Sequence, residues 1–270
     1  YSELTARGID INTADLLFNG EFVAKKNLYY SYGILKDFEK LNMRNDVVLK
    51  DFVLWEPPIV DPALYRALPM LTSCFERVYV HNTIGDGYSL DGVEQTKLVK
   101  LFFPQPQKGV IKEFWERDER LNRVVVINGN HRPKKRMGEL YSTRIEAMSE
   151  LAKLGVVDLY GSGWDKWCSR SSLWLPYWQN RKTLQSIYRG SCASKHGTLS
   201  SYRFCLCIEN MNMTGLVTEK IFDCFYAGTI PIYLGAPDIE FMIPKGAYID
   251  ARNFSSWTEM WEQLSINLQL

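Results

Sequence analysis

The segment GLVTEKIFDCFYAGTIPIYLGAP, residues 215–237, constrains the fold more than any other part of the chain. Apolar residues recur at helical spacing from Ile221 to Tyr226, and Gly228 stands where a helix would end. A short apolar run closed by Gly235 follows, which is typical of a buried strand. The segment therefore predicts a helix that passes directly into a strand, the repeating unit of α/β folds.

Similar segments alternate along the rest of the chain. The predicted strands are 15–20, 51–56, 77–82, 123–130, 156–161, 204–210, 229–235 and 247–251. The predicted helices are 29–42, 63–75, 139–155, 218–228 and a last one that Ser256 caps with Glu259 three residues on. Residues 164–200 are predicted to be irregular. The alternation indicates an α/β fold with parallel sheets covered on both faces.

A break in this pattern predicts two domains. Prolines followed by dense charge mark residues 106–121 as a linker between an N-terminal domain, 1–105, and a C-terminal domain, 122–270. Two such units would leave a cleft at the carboxyl ends of their strands, where ligands of open α/β sheets bind. The chain opens like the tail of a helix entering a strand and stops inside a helical pattern, so we expect it to be trimmed at both ends.

Composition excludes several classes of protein. The 32 basic and 31 acidic residues balance, so bulk charge predicts no nucleic-acid partner. No apolar run approaches the roughly 18 residues of a membrane span. The six cysteines form no CxxC pair, and free thiols favour a reducing compartment. Scattered histidines and the lack of any Asp-x-Asp predict that no metal is required.

Two basic residues are candidates for an anion site. Lys220 lies in the first turn of a predicted helix, where free N–H groups and the helix dipole already attract anions. A lysine at that position makes sense if a phosphate shares the site, the alternative being a solvated pair with Glu219. Arg144 follows strand 123–130, and its fork of donors suits phosphate oxygens, the alternative being a surface arginine.

Polar residues at strand ends are further candidates. Glu209 and Asn210 end an apolar strand, where they suit hydrogen bonds to hydroxyls or a base, or a capping role. Glu56 ends another strand before two prolines and is either a base or a turn residue. Aromatic residues that could stack on sugars or serve as packing anchors are Trp164, Trp167, Trp174, Tyr177 and Trp178.

Residues 202–254 closely resemble the signature region of the glycosyltransferase family 10 fucosyltransferases. The shared motifs are a Phe followed by Glu-Asn (here FCLCIEN), then VTEKI, AGTIPIYLG and a final Pro-to-Ile segment. Weaker similarity covers RVVVINGNHR and VVDLYG, the lead-in from Lys195 to Tyr202-x-Phe204, and the acidic strand end in VLWEPPIVDP. Most of the chain can be placed by this resemblance.

The resemblance implies a GT-B architecture of two Rossmann-like domains, GDP-fucose as donor and an oligosaccharide acceptor. It implies transfer with inversion, typically to the 3-OH or 4-OH of N-acetylglucosamine or glucose, with no obligatory metal. Glu56 would be the general base, with Asp61 and Glu76 as nearby competitors. The implied donor-binding residues are Arg144 and Lys220 at the diphosphate, Asn210 and Glu219 at the nucleotide-sugar, and Lys195, Glu209 and Thr218.

Two departures bear on the donor. Leu216 stands where the family usually has an aromatic residue, and Met211 where a small polar residue usually follows Glu-Asn.

The alternatives that remain are a GT-B transferase using another nucleotide sugar and a non-catalytic glycan-binding relative. The expected location is the cytoplasm, peripheral to a bacterial inner membrane, or the Golgi lumen if a membrane stem precedes the chain.

Overall fold

The computed structural model describes residues 2–20, 24–105, 107–166 and 174–267. Over these ranges it contains nine strands in two sheets, and every strand pair within each sheet is parallel. Helices follow most strands, so the α/β class with parallel sheets is confirmed.

The first sheet occupies the N-terminal part of the chain. Its strands are β1 (Asn27–Tyr32), β2 (Val47–Val53), β3 (Arg77–Val80) and β4 (Leu98–Lys100), in the spatial order β1-β2-β3-β4. The accompanying helices are α1 (Ser2–Thr5), α2 (Ala14–Phe18), α3 (Phe38–Asn42), α4 (Pro62–Arg66) and α5 (Leu68–Cys74). Phe52 and Phe75 pack edge to face in a core beneath the sheet. A single 3₁₀ turn, Gln95–Lys97, precedes β4.

The second sheet follows a short helix, α6 (Lys112–Trp115). Its strands are β5 (Leu121–Ile127), β6 (Val157–Tyr160), β7 (Tyr202–Ile208), β8 (Ile230–Leu234) and β9 (Ile249–Asp250), in the order β6-β5-β7-β8-β9. The helices around it are α7 (Tyr141–Lys153), α8 (Leu175–Ile187), α9 (Lys195–Leu199), α10 (Glu219–Ala227) and α11 (Trp257–Asn267). Two 3₁₀ turns, Ile239–Phe241 and Ala251–Asn253, flank β9.

The strand order of the second sheet creates a crevice. From β5 the chain goes to β6 on one side, and it returns to β7 on the other side. The connections after β5 and β7 therefore diverge, and ligands of open α/β sheets bind at such a switch point. Asn128 follows β5 and Glu209 follows β7, so both lie at this point of the sheet.

Polar contacts tie the two sheets together beside the crevice. Thr214 donates its backbone N–H to Asp86 Oδ2 at 2.6 Å, and its carbonyl accepts from Asn82 Nδ2 at 3.2 Å. Lys100, at the end of β4, donates to the carbonyl of Gly215 at 2.6 Å. A Cβ on Gly215 would lie 2.1 Å from the carbonyl oxygen of His81, so only glycine allows this close approach.

Several local predictions are confirmed and others are wrong. The predicted helix 218–228 is α10, and Gly228 ends it in the left-handed conformation at φ 68°. The Ser256 cap is also confirmed, because its Oγ accepts from the N–H of Glu259 at 3.1 Å. The predicted strand 15–20 is helix α2, the predicted helix 29–42 is β1 followed by α3, and the helix 63–75 is the pair α4 and α5. The opening residues form α1 and do not lead into a strand.

The region 164–200 was predicted to be irregular, yet it contains α8 and α9. Trp164, Trp174 and Tyr177 are 2%, 8% and 0% exposed, so they serve as packing anchors and offer no face to a sugar. Trp167 and Cys168 lie outside the described residues. The other five cysteines are free thiols, and three of them, Cys205, Cys207 and Cys224, are buried.

The described chain contains no helix that is both long and apolar enough to cross a bilayer. The first sheet ends at Lys100 and the second begins at Leu121. Within the segment between them, α6 packs against α10, and the indole of Trp115 donates to the carbonyl of Phe225 at 2.6 Å. The domain boundaries at 105 and 122 stay a prediction.

Candidate active site

A cavity of about 310 Å³ lies between the carboxyl ends of the two sheets. It takes residues from the loop after β2 and from the loops and helices that follow β5 and β7. The structure brings together every site residue predicted from the sequence: Glu56, Arg144, Lys195, Glu209, Asn210, Thr218, Glu219 and Lys220.

Glu209 holds the start of α10. The carboxylate is fully buried, and its Oε1 accepts from the Thr218 N–H at 2.8 Å while its Oε2 accepts from Lys220 Nζ at 2.8 Å. The Thr218 hydroxyl adds contacts at 3.0 Å to both oxygens. Both oxygens are thus used by the protein, which matches the capping alternative for Glu209 and leaves little for a ligand hydroxyl. Its main effect is to fix the Lys220 ammonium at the positive end of α10.

Arg144 projects from α7 into the same region and is 4% exposed, so the surface alternative is wrong. Its Nη2 donates to the carbonyls of Ile208 at 2.6 Å and Glu209 at 3.0 Å, and to Asn210 Oδ1 at 3.3 Å. Burial lowers the pKa of this guanidinium from its ordinary value, but arginine stays charged. Its Nε and Nη1 make no hydrogen bond to any described residue, so they are donors available at the cavity wall.

Lys195 supplies a third cation at this wall. It begins α9 and forms an ion pair with Asp223 of α10, and Glu219 Oε1 lies 4.0 Å from its Nζ. Burial acts to lower the pKa of Lys195, but the hydrogen bond that Lys195 donates to Asp223 and the negative charges of Asp223 and Glu219 together outweigh burial, so the pKa is raised above its ordinary value. His196 Nε2 lies 2.7 Å from the other oxygen of Asp223. Lys195 is therefore held in its charged form.

Glu56 faces these cations from the first sheet's side of the cavity. Its backbone is fixed at two points, because His81 Nε2 lies 2.9 Å from the Trp55 carbonyl and the Tyr65 hydroxyl donates to the Glu56 carbonyl at 3.0 Å. Burial lowers the pKa of His81 to about 4, so the neutral ring serves as the donor in the tautomer with the proton on Nε2. These bonds position the Glu56 side chain at the edge of the cavity.

The Glu56 carboxylate is itself uncompensated. It remains accessible from the cavity and makes no ion pair or hydrogen bond with any residue in the part of the chain that the structure describes. Desolvation by the surrounding walls raises its pKa above 4.5, Lys220 counteracts this, and Glu219 and Asp61 add to it. A free carboxylate with a raised pKa beside a cavity is typical of a general base.

The two competing carboxylates are less suited to that role. Glu76 precedes β3, so it lies at the opposite end of the first sheet, and it forms an ion pair with Lys50 that lowers its pKa. Asp61 precedes α4 and does not line the cavity. The geometry therefore favours Glu56 over both.

Several cavity residues were missed by sequence reasoning. These are Trp55, Phe103, Asn128, His131 and Tyr141. Asn128 Oδ1 is buried and has no hydrogen-bond partner among the described residues. Asn128 directly follows β5, just as Glu209 and Asn210 follow β7. The same search for polar residues at strand ends could therefore have predicted Asn128 as a site residue. Leu216, one of the two departures from the family pattern, also lines the cavity and is fully buried.

The chemistry of the cavity is cationic on one wall and carboxylate on the other. No group of three or more His, Cys, Asp or Glu residues within the described ranges could hold a metal ion. The charges that face the cavity and could meet an anion are those of Arg144, Lys195 and Lys220. The arrangement can stabilise a diphosphate and take a proton from a group lying opposite it.

Two parallel α/β sheets with this cavity between them form a GT-B fold, and solved structures share this fold. An alpha1,3-fucosyltransferase structure gives a TM-score of 0.52 at 13% identity, covering 90% of this chain and 66% of that one. The TarM structure gives 0.59 at 12% identity, covering 94% of this chain and 50% of that one. At such identities the likeness concerns the fold alone.

The chain belongs to glycosyltransferase family 10, because the family model "Glycosyltransferase family 10 (fucosyltransferase) C-term" matches residues 124–268, more than half of it. An alpha-(1,4)-fucosyltransferase of Arabidopsis thaliana is 38% identical over 65 residues, 24% of this chain and 16% of the relative. The alpha-(1,3)-fucosyltransferase FucT of Helicobacter pylori is 38% identical over 66 residues, 24% of this chain and 14% of the relative. The matches thus span about a sixth of those relatives.

Proposed function

We propose that this chain transfers L-fucose, with inversion, from GDP-fucose to a hydroxyl of an oligosaccharide, the 3-OH of N-acetylglucosamine or glucose being the expected position. The observation that carries the proposal is the cavity itself, which places an uncompensated Glu56 opposite Arg144, Lys195 and Lys220. The relatives named above as fucosyltransferases support the choice of donor.

The cationic wall suits the departing nucleotide. When the bond between the fucose anomeric carbon and the β-phosphate oxygen breaks, its electron pair stays on that oxygen and adds negative charge to GDP. Lys220, at the positive end of α10, and the free donors of Arg144 are preorganised for this charge. Lys195 adds a further cation. A leaving group stabilised in this way needs no proton, so we expect no paired general acid and no obligatory metal.

Glu56 suits activation of the acceptor. The acceptor hydroxyl would attack the anomeric carbon from the face opposite GDP, and its proton would pass to the Glu56 carboxylate as the new C–O bond forms. Attack from that face inverts the anomeric configuration. A raised pKa makes the ionised Glu56 carboxylate a stronger base, which favours general base catalysis.

The remaining predicted residues suit the nucleoside and sugar parts of the donor. Asn210 already accepts from Arg144 through Oδ1, so its amide N–H groups are the part available to a ligand. Glu219 keeps 40% of its side chain exposed and can accept from ribose or fucose hydroxyls. We add Asn128, whose buried Oδ1 lacks a partner, as a further donor-site residue. Thr218 acts indirectly, through Glu209 and Lys220.

The experiment that tests the donor is hydrolysis of nucleotide sugars without acceptor. GDP-fucose, GDP-mannose and several UDP-sugars are incubated with the protein and the released nucleotide is measured. We expect GDP-fucose to be cleaved fastest. The alternative of another nucleotide sugar has one supporting observation, the fully buried Leu216 in the cavity wall. A faster rate with another donor would favour that alternative, and binding without cleavage of any donor would favour a non-catalytic relative.

For location, we propose the cytoplasm, peripheral to a bacterial inner membrane, with the Golgi lumen as the alternative. The buried free thiols of Cys205, Cys207 and Cys224 support a reducing compartment. Fractionation of the cells that express the protein would decide between the two.

A further inference from the structure

A strongly basic loop lies at the rim of the cavity. The basic loop, residues 131–136, has the sequence His-Arg-Pro-Lys-Lys-Arg, and its four arginine and lysine side chains are all exposed. None of the four forms an ion pair with any described residue. The whole chain carries a net charge of only +1, so this concentration of positive charge is a local exception.

Backbone hydrogen bonds fix the path of this loop across the cleft. Before it, Asn130 donates to the carbonyl of Ser162 at 2.9 Å. In its middle, Lys134 donates to the carbonyl of Ile59 at 2.8 Å, three residues beyond Glu56. After it, Gly138 accepts from the N–H of Asn212 at 2.8 Å, two residues beyond Asn210. The basic loop therefore crosses from the second sheet to the Glu56 side of the cleft and back.

The donor's charges do not explain this loop. The diphosphate has its own cations inside the cavity, Arg144, Lys195 and Lys220, whereas only His131 of the basic loop lines that cavity. The other basic side chains are exposed on the same loop, whose backbone is hydrogen-bonded at Lys134 to the segment that carries Glu56. An acceptor whose hydroxyl reaches Glu56 would lie close to this loop, because Lys134 is hydrogen-bonded to Ile59, three residues beyond Glu56.

We propose that the basic loop recognises an anionic substituent, a carboxylate, sulfate or phosphate, on the oligosaccharide acceptor. Arginine and lysine make charge-assisted hydrogen bonds to such groups, and two or more unpaired cations on a fixed backbone offer them without a prior ion pair to break. The proposal rests on the proposed function, since it assigns the chemistry of the acceptor for the same site. An anionic acceptor suits the loop better than an anionic membrane, because the loop begins in the cavity wall at His131 and is hydrogen-bonded to Ile59, three residues beyond Glu56.

The test compares binding of one neutral acceptor and two acceptors that carry an anionic substituent. Calorimetry with GDP present gives the Kd of N-acetyllactosamine, its 3′-sialylated form and its 6-sulfated form. At low salt we expect at least one anionic form to bind about tenfold more tightly than the neutral one, the combined effect of a few exposed charge pairs. The advantage should shrink as NaCl is raised, because salt screens exposed charges. Equal affinities in all three cases would overturn the proposal.

A charge-matched pair of variants locates the effect. The loop variant carries Arg132→Gln, Lys134→Gln, Lys135→Gln and Arg136→Gln. The control removes four exposed lysines away from the rim, two before β1, one at the end of α7 and one on α8: Lys25→Gln, Lys26→Gln, Lys153→Gln and Lys182→Gln. We expect the anionic advantage to fall within about twofold in the loop variant and to persist in the control. An equal loss in both variants would contradict the assignment.

Two further measurements separate the outcomes. Co-sedimentation with phosphatidylserine vesicles tests whether the loop binds an anionic membrane. If vesicle binding requires the loop and the acceptors show no anionic preference, the proposal is wrong and the loop is a membrane-binding segment. Donor hydrolysis tests the proposed function by itself. If anionic acceptors bind better but GDP-fucose is never cleaved, the proposed function is wrong while the recognition of an anion stands.

Discussion

Replacing Lys220 by methionine separates its structural role from its role at the diphosphate. Lys220 Nζ lies 2.8 Å from Oε2 of the fully buried Glu209, and its own side chain is 24% exposed. Lys220→Met keeps much of the side-chain volume, removes the charge and leaves Glu209 with the Thr218 contacts alone. We expect the variant to lose both stability and affinity for GDP.

The structure sets the size of each loss. Removing one partner of a buried pair costs about 3–5 kcal/mol, and we expect the lower end because Thr218 still donates two hydrogen bonds to Glu209. A charge-assisted contact to phosphate contributes about 1.5–3 kcal/mol. Since each 1.4 kcal/mol is about a tenfold change in affinity, GDP should bind roughly ten- to a hundredfold more weakly. Urea unfolding measures the first loss and calorimetry with GDP measures the second.

A double variant distinguishes the two effects. Lys220→Met with Glu209→Gln removes both charges, and replacing a buried pair by neutral residues is often tolerated. The double variant should therefore recover much of the free energy of unfolding while GDP still binds weakly. Recovery of GDP affinity together with stability would show that Lys220 acts only by holding Glu209, and the diphosphate assignment would then be wrong.

Three more predictions follow from the cavity. Transfer should fall as pH decreases through the raised pKa of Glu56, because the base must be ionised to accept a proton. The acid limb of the kcat/KM profile should therefore lie above the ordinary pKa range of glutamate. An acid limb at or below that range would contradict the role of Glu56. Leu216→Tyr should be tolerated and should tighten GDP binding, because its ring would lie in the cavity. A loss of about 1–3 kcal/mol in the free energy of unfolding would show instead that the ring overpacks the core. GDP-fucose should bind equally well with EDTA, and binding that requires manganese would refute the metal-independent proposal.

The sequence predicted the second sheet better than the first, and the reason is physical. The segments of β5, β7, β8 and α10 are strongly apolar or strongly periodic, so local pattern and tertiary environment agree. By contrast β1, an edge strand with alternating burial, contains exposed Leu28, Tyr30 and Tyr32. Its pairing with β2 stabilises it as a strand, and this pairing is not visible in the sequence. Helix α8 was missed although Tyr177, Leu184 and Ile187 share its buried side.

In the candidate site too, the residues with a local sequence signal were predicted and the contacts that depend on the tertiary fold were not. Glu56, Asn210 and Lys220 could be found because strand ends and helix starts are recognisable in the sequence, and the family motif supplied Lys195 and Thr218. The sequence did not predict that both oxygens of Glu209 bind Thr218 and Lys220. It also did not predict that His81 and Tyr65 hold the backbone at Trp55 and Glu56. These contacts join residues 9 to 26 positions apart that belong to different elements or loops, so they depend on the tertiary fold.

The most direct test of the account is the transfer rate of Glu56→Gln measured beside Asp61→Asn and Glu76→Gln. Glutamine keeps the shape of Glu56 and removes its basicity, so we predict that the variant binds GDP normally while transfer from GDP-fucose to N-acetyllactosamine falls by roughly a hundredfold or more. The other two variants should transfer fucose at nearly the wild-type rate, because Glu76 lies at the far end of the sheet and Asp61 does not line the cavity. Near-normal transfer by Glu56→Gln, with Asp61→Asn or Glu76→Gln inactive, would contradict the account.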